Sequence, residues 1–453
     1  MSSLGRGDIP APGAIRSFDF PPVRRERLEN GLQVRSVGVP RIPIVTASLV
    51  LNAGEGVVGQ RHAGLAVLTG DSLEGGTALR SGVDLAEALE MIGAGLSIAT
   101  GWDATTMSLS CIADRLDEAM ELLAEVVLQP IFPVDEVARI RGQRLAAIQQ
   151  SKMDPASIAT DVARTETYDD GAPYGRPLGG THDSVASLSS DSAAGFVEAR
   201  YRPGGSGLVV VGDVDVDRVK ALADRNFGNW LGEVPRVHEI NTKPRAKERR
   251  MVVVDRPGAV QSEIRMGHVG QPRSTSDYFP LLVFNVILGG AFTSRLNLNL
   301  REKHGFTYGI RSEFSFRRGP GPWMISTAVA TEVTADAVRE AIFEVENLLH
   351  EGPTNEEVEA ARDYIAGVFP LRLETTAQIA SRIAELLIYD LPDDYHSTYR
   401  DRVRNVTREQ TMEAASRCIR PSEITVVIGG DAEKIQTPLE GLGWVPLTIE
   451  PPL

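Results

Sequence analysis

Two residues seven positions apart, Arg301 and Tyr308, have side chains suited to chemistry at a centre where negative charge develops. A guanidinium and a phenol both donate hydrogen bonds, and donors fixed in place stabilise charge as it builds on an oxygen. They lie in residues 281–310, LLVFNVILGGAFTSRLNLNLREKHGFTYGI. Leu282, Val283, Val286 and Ile287 recur at helical spacing and predict one apolar helix face. Gly289 and Gly290 interrupt it; without side chains they let the backbone approach something else, so both are candidate substrate contacts. A second helical run over 294–303 ends at Gly305, after which Phe306, Tyr308 and Ile310 alternate as in a strand entering a sheet. This order sets Arg301 late on a helix and Tyr308 early on a strand, facing one space. His304, between them, is a third candidate for substrate contact. An arginine on a solvated helix face and a tyrosine packed in a sheet would show the same spacing, so residue types alone leave both readings open.

Other reactive patterns are weak. The seven histidines (62, 182, 238, 268, 304, 350, 396) include no pair at i,i+3 or i,i+4, and His350-Glu351 continues as Gly-Pro-Thr. Cys111 and Cys418 make neither a disulfide framework nor a metal-ligand spacing and read as two buried thiols. Gly70-Asp71-Ser72-Leu73-Glu74 falls one glycine short of a G-x-S-x-G elbow. There is no P-loop and no G-x-G-x-x-G following a strand.

A chain of 453 residues is too long for one ordinary core, so two or more domains are expected. With 42% hydrophobic and 24% charged residues it has the balance of a soluble globular protein. A formal charge of −14 argues against a nucleic-acid partner. No run approaches the ~18 apolar residues a membrane span needs. The N-terminal stretch has no apolar core of a signal peptide, which gives a cytoplasmic default and a periplasmic alternative if a signal has been removed.

The elements come in a repeated order. Residues 1–22, rich in Pro, Gly and Ser, read as a flexible arm. A hairpin turn at Glu29-Asn30-Gly31 and strands over 44–51, 96–100, 105–112 and 207–214 enclose helices over 83–92, 114–128 and 135–151. LVVVGDVD at Leu208 recurs as TVVIGGDA at Thr425, an offset of 217. The helix opening at Asp117 recurs at Asp336, an offset of 219, and PVDEVARIRGQRLAAI at Pro133 matches TNEEVEAARDYIAGVF at Thr354, an offset of 221. Three anchors at near-equal offsets indicate an internal duplication. The expected division is a first domain over 23–231, a polar linker over 232–250 and a second domain over 251–453. Each is read as α+β, one sheet covered by helices.

The run ILGGAFTSRLNLNLREKHGFTYGI resembles the C-terminal signature of the pitrilysin/insulinase-type zinc metallopeptidases, which include the mitochondrial processing peptidase. In that family an Arg and a Tyr seven residues later reach into the active site, as Arg301 and Tyr308 would. The resemblance spans roughly residues 24–435 and implies two similar α/β-roll domains, each a largely antiparallel sheet covered by helices, forming a clam-like chain. Competent relatives carry HxxEH on a first-domain helix: two His hold zinc and the Glu activates water, with a downstream Glu as third ligand. The family frame lays onto Gly64-Leu65-Ala66-Val67-Leu68-Thr69-Gly70-Asp71 and closes at Gly76-Thr77. The ligand positions become Val67 and Asp71, the base position Gly70 and the third ligand Ala147. All four are replaced, so no zinc is expected in this chain and no activity from it alone.

The resemblance then implies a non-catalytic subunit of a heterodimeric zinc metallopeptidase. A homologous HxxEH-bearing partner would hold the zinc, and Arg301 and Tyr308 would act on a peptide substrate at the partner's site. The alternative is a protease-inactive scaffold, similar to the core subunits of respiratory complexes that share this fold. A purely structural chain would have no physical need to keep Arg301, Tyr308 and the Gly289-Gly290 loop together.

Overall fold

The described residues form twelve strands, most of them rich in β-branched side chains: β1 (Arg24–Arg27), β2 (Gln33–Gly38), β3 (Ile44–Leu51), β4 (Gly95–Thr100), β5 (Thr105–Ile112), β6 (Gly207–Gly212), β7 (Arg250–Asp255), β8 (Gln261–Val269), β9 (Ile310–Phe314), β10 (Pro322–Ala330), β11 (Thr425–Gly430) and β12 (Leu447–Glu450). The structure is a computed structural model describing residue 13 and residues 16–233, 240–444 and 447–451. Two six-stranded sheets result, ordered β1-β2-β6-β3-β5-β4 and β12-β7-β11-β8-β10-β9. β2 runs parallel to β6, and β7 parallel to both β11 and β12. Every other ladder is antiparallel. The fold is therefore α+β in two similar halves, each a mostly antiparallel sheet with helices. The copies part company at one edge, where β1 joins antiparallel and β12 parallel.

Side-chain alternation along β6 and β11 shows how the sheets are covered. Leu208 and Val210 enter the main core of the first half, whereas Val209 and Val211 face the other side. In β11, Val426 and Ile428 point one way and Val427 the other. Burial on both faces explains why these strands read as unbroken apolar runs. The second face of each is covered by a helix from the opposite half. Helix Pro155–Thr167 lies on β8 and β11, and helix Thr376–Tyr389 on β3 and β6. Ile158 and Val162 meet Val252, Val254 and Val427, while Phe369, Ile379 and Ile383 meet Val37, Val209 and Val211. Each such aliphatic side chain stabilises by roughly 1.5–3 kcal/mol when buried, so this exchange joins the halves far more firmly than the linker does. The expected boundary at 232–250 thus separates the sheets and their main cores, while two smaller apolar clusters span it.

The flexible arm expected over 1–22 lies partly outside the described residues. From Arg16 onward it is docked at the same seam. The Phe18 ring meets Phe369 edge-on at 6.2 Å, Phe20 lies 5.1 Å from the His396 ring, and Arg400 donates to the Arg16 carbonyl at 2.9 Å. His238 and the middle of the linker also fall outside the described residues. The linker's later part is bonded to the end of helix Pro155–Thr167, Arg245 N–H donating to the Thr167 carbonyl at 3.1 Å. No helix among the described residues is long and apolar enough to cross a membrane.

Candidate functional site

The helix Leu65–Ser72, where the family resemblance places a metal, starts from a buried anchor. The Glu55 carboxylate accepts from the backbone N–H of Gly64 at 2.7 Å and of Ala66 at 3.1 Å, two donors that a helix N-terminus leaves unpaired. Arg176 pairs with the same carboxylate at 3.0 Å, and both side chains are buried. Burial pushes the Glu55 carboxyl up to about 7, against the downward pull of the Gly64 N–H, Arg176 and the Ala66 N–H.

The helix carries little for a metal to bind. Val67 is buried and offers no lone pair. Gly70 is packed under β4: a Cβ there would sit 2.4 Å from Thr100 Oγ1, so any side chain at this position requires the Thr100 hydroxyl to move. Asp71 is ion-paired with Arg144 of helix Val134–Ser151. Ala147, one turn further along that helix, is exposed. One carboxylate, already engaged by a guanidinium, cannot supply the three protein ligands of a catalytic zinc, so these residues do not fit the metal. Among the described residues no group of three or more His, Cys, Asp or Glu side chains could hold one elsewhere. Equilibrium dialysis of the purified chain against zinc is expected to leave far less than one equivalent bound. One tightly held equivalent, lost on chelation, would overturn this. Sequence reasoning missed Arg144, although a charge opposite to Asp71 one turn before Ala147 was a readable signal.

The Arg301–Tyr308 element is built from widened helical turns. Helix Tyr278–Asn285 runs on into a π-helical turn, Val286–Gly290, and a second π-helical segment spans Asn297–Lys303. Such turns often accompany functional sites. Buried Asn297 donates to the Ile310 carbonyl at 2.8 Å and accepts from the Ile310 N–H at 3.2 Å. Asn285 donates to the Ser312 carbonyl at 2.9 Å and accepts from the Ser312 hydroxyl at 2.8 Å. These two clamps fasten β9 to the helical segments, so the 304–309 loop is held at both ends. Neither asparagine was singled out from the sequence, though asparagines are poor helix formers and mark backbone-bonding duties.

The Arg301 guanidinium carbon lies 4.1 Å from the Phe292 ring centroid, and its nearest carboxylate is Glu302 at 3.5 Å. Tyr308 is 96% exposed and has no hydrogen-bond partner among the described residues. It precedes β9 by two residues and does not belong to the expected strand. The Thr307 hydroxyl bonds Gly309 N–H at 3.1 Å in a turn, and the ladder begins only at Ile310. Gly289 is buried, and a Cβ would lie 2.6 Å from Ser312 N, so its missing side chain serves the approach of β9. Gly290 remains exposed. His304 stacks on Phe306 at 4.9 Å and lies 3.8 Å from Glu340.

The chain is thus built like a metallopeptidase whose own metal helix has lost its donors. Residues 34–182 match the family described as insulinase (peptidase family M16), and residues 187–365 match the peptidase M16 inactive domain. A Mycobacterium bovis protein named an uncharacterized zinc protease is 27% identical over 418 residues, covering 92% of this chain and 95% of that protein. The crystal structure of a peptidase M16 inactive domain from Pseudomonas fluorescens superposes with a TM-score of 0.84 at 26% identity, covering 90% of this chain and 98% of that one. A protease from Helicobacter pylori has the same fold, with a TM-score of 0.84 at 18% identity over 91% of this chain and 100% of its own. The protein belongs to the peptidase M16 family.

Proposed function

We propose that this chain is the non-catalytic subunit of a heterodimeric zinc metallopeptidase, supplying Arg301 and Tyr308 to the active site of an HxxEH-bearing partner. The observation that carries this reading is Tyr308: a bulky phenol, 96% exposed and without a partner among the described residues, at the end of a loop clamped by two asparagines. Holding a loop this firmly to leave its tyrosine bare has no use in packing. The partner supplies zinc and the attacking water. This chain supplies two donors for the negative charge that grows on the peptide carbonyl, an arrangement in which each donor is worth ~10²–10³ in turnover. Phe292 beneath Arg301 keeps the guanidinium plane oriented.

Tagged chain recovered from its native source is expected to bring with it a homologue of similar length that carries HxxEH, with about one zinc per pair. Recovery of this chain only, as a monomer or homodimer, would favour the scaffold role.

A further inference from the structure

Arg273 is only 6% exposed, yet no carboxylate of the described residues lies within ion-pair distance of it. Its guanidinium carbon sits 3.7 Å from the Tyr278 ring centroid, 4.8 Å from Tyr395 and 5.9 Å from Tyr389. Aromatic faces and a hydrogen bond to the Tyr395 hydroxyl offset part of the cost of burying this cation, but neither supplies a countercharge. Arg273 lines a cavity of about 240 Å³ between the helices Tyr278–Asn285, Asn355–Leu371, Thr376–Tyr389 and Tyr395–Arg404. Leu282, Val286, Ile365, Val368 and Phe369 make its apolar wall. The Glu385 carboxylate, which lines the same cavity, acts on Arg273 only from beyond ion-pair distance. Arg382 is paired with Glu385 at 2.6 Å, and Arg372 adds a second, exposed cation. Burial pushes His396 down to about 4, which leaves it neutral near neutral pH.

We propose that this cavity binds a monoanionic amphiphile, a fatty or aryl carboxylate, with its carboxylate on Arg273 and its apolar body along Leu282, Val286, Val368 and Phe369. A cavity of 150 Å³ holds benzene, so 240 Å³ accommodates about ten carbons. A cation would be repelled by Arg273 and Arg372, and a neutral ligand would leave Arg273 buried without a direct countercharge. A phosphate dianion would give up more hydration than one buried guanidinium returns. Asn285, Val286 and Gly290 also line the cavity, so the ligand lies behind the turn that leads to Phe292 and Arg301. The binding itself does not depend on any peptidase partner.

Calorimetric titration of the full chain with decanoate, phenylbutyrate and the neutral amide of each tests the site. One saturable site per chain is expected for the acids, with the amides at least ten-fold weaker, and the tighter acid tells an alkyl from an aryl ligand. Arg273→Gln is expected to weaken the acids by roughly ten-fold or more, the usual effect of losing a charge-assisted hydrogen bond. Val368→Trp fills the cavity and is expected to abolish binding while the melting temperature stays near that of the unmodified chain. Should Arg273→Gln fail to fold, the acid–amide comparison and Val368→Trp still decide. The proposal is overturned by acids and amides binding equally, by undiminished binding in the folded variants, or by the absence of any saturable site.

Discussion

In the reconstituted pair, Tyr308→Phe is expected to lower turnover by roughly 100-fold with KM changed by no more than about two-fold. The substitution removes one hydroxyl and keeps the ring. Because that hydroxyl has no partner among the described residues and the residue is almost wholly exposed, thermal stability should not change. A loss of turnover then reports a bond made to the substrate as charge develops, and not a disturbed fold. Arg301→Lys keeps the charge but loses the planar fork and its stacking on Phe292, so it too should impair turnover. Neither residue ligates metal, so the partner's zinc content and the heterodimer should be intact in both variants. Steady-state peptide cleavage, zinc analysis and sizing of the pair are the measurements. Unmodified rates in both variants would put these residues outside the active site and end the shared-site mechanism, even with a genuine heterodimer.

The internal duplication was legible because central strands bury both faces: LVVVGDVD and TVVIGGDA stand out as unbroken apolar runs and became β6 and β11. Such a run shows that both faces need cover but not which helix provides it. The exchange of helices Pro155–Thr167 and Thr376–Tyr389 between halves is a long-range choice with no local pattern. Val67, Gly70, Asp71 and Ala147 could be singled out from the family frame alone. Arg144 was readable as a charge opposite to Asp71, but that its long side chain reaches a full turn along its helix to pair with Asp71 is visible only in the structure. Alternation of Phe306, Tyr308 and Ile310 has the right period for a strand, yet Asn297 occupies the backbone of Ile310 and fixes where the ladder starts. The pair Gly289-Gly290 announced a close backbone approach correctly. What approaches Gly289 is Ser312 of β9.

Arg176→Met is expected to destabilise the chain by about 3–5 kcal/mol near pH 8, the usual consequence of leaving a buried carboxylate without its partner. Arg176 also donates to the Val58 carbonyl at 2.8 Å and to Gln60 Oε1 at 3.1 Å, so part of the loss is independent of pH. The rest follows Glu55. Its folded value, pushed up to about 7 by burial, lies above the ordinary 4.5, so between these values the folded state binds the extra proton. Glu55 therefore contributes stability that is full below 4.5 and is lost as pH rises through about 7. Removing Arg176 takes away one of the groups that pull this carboxyl down, moves its folded value higher and carries the loss further into the alkaline range. The deficit measured by urea unfolding should accordingly be larger near pH 8 than near pH 5. In the double variant Glu55→Gln, Arg176→Met no carboxylate remains to titrate, and the dependence on pH should disappear. A deficit below about 1 kcal/mol would show that the pair does not hold the start of helix Leu65–Ser72. An equal deficit at both pH values would show that Glu55 is not the group that titrates.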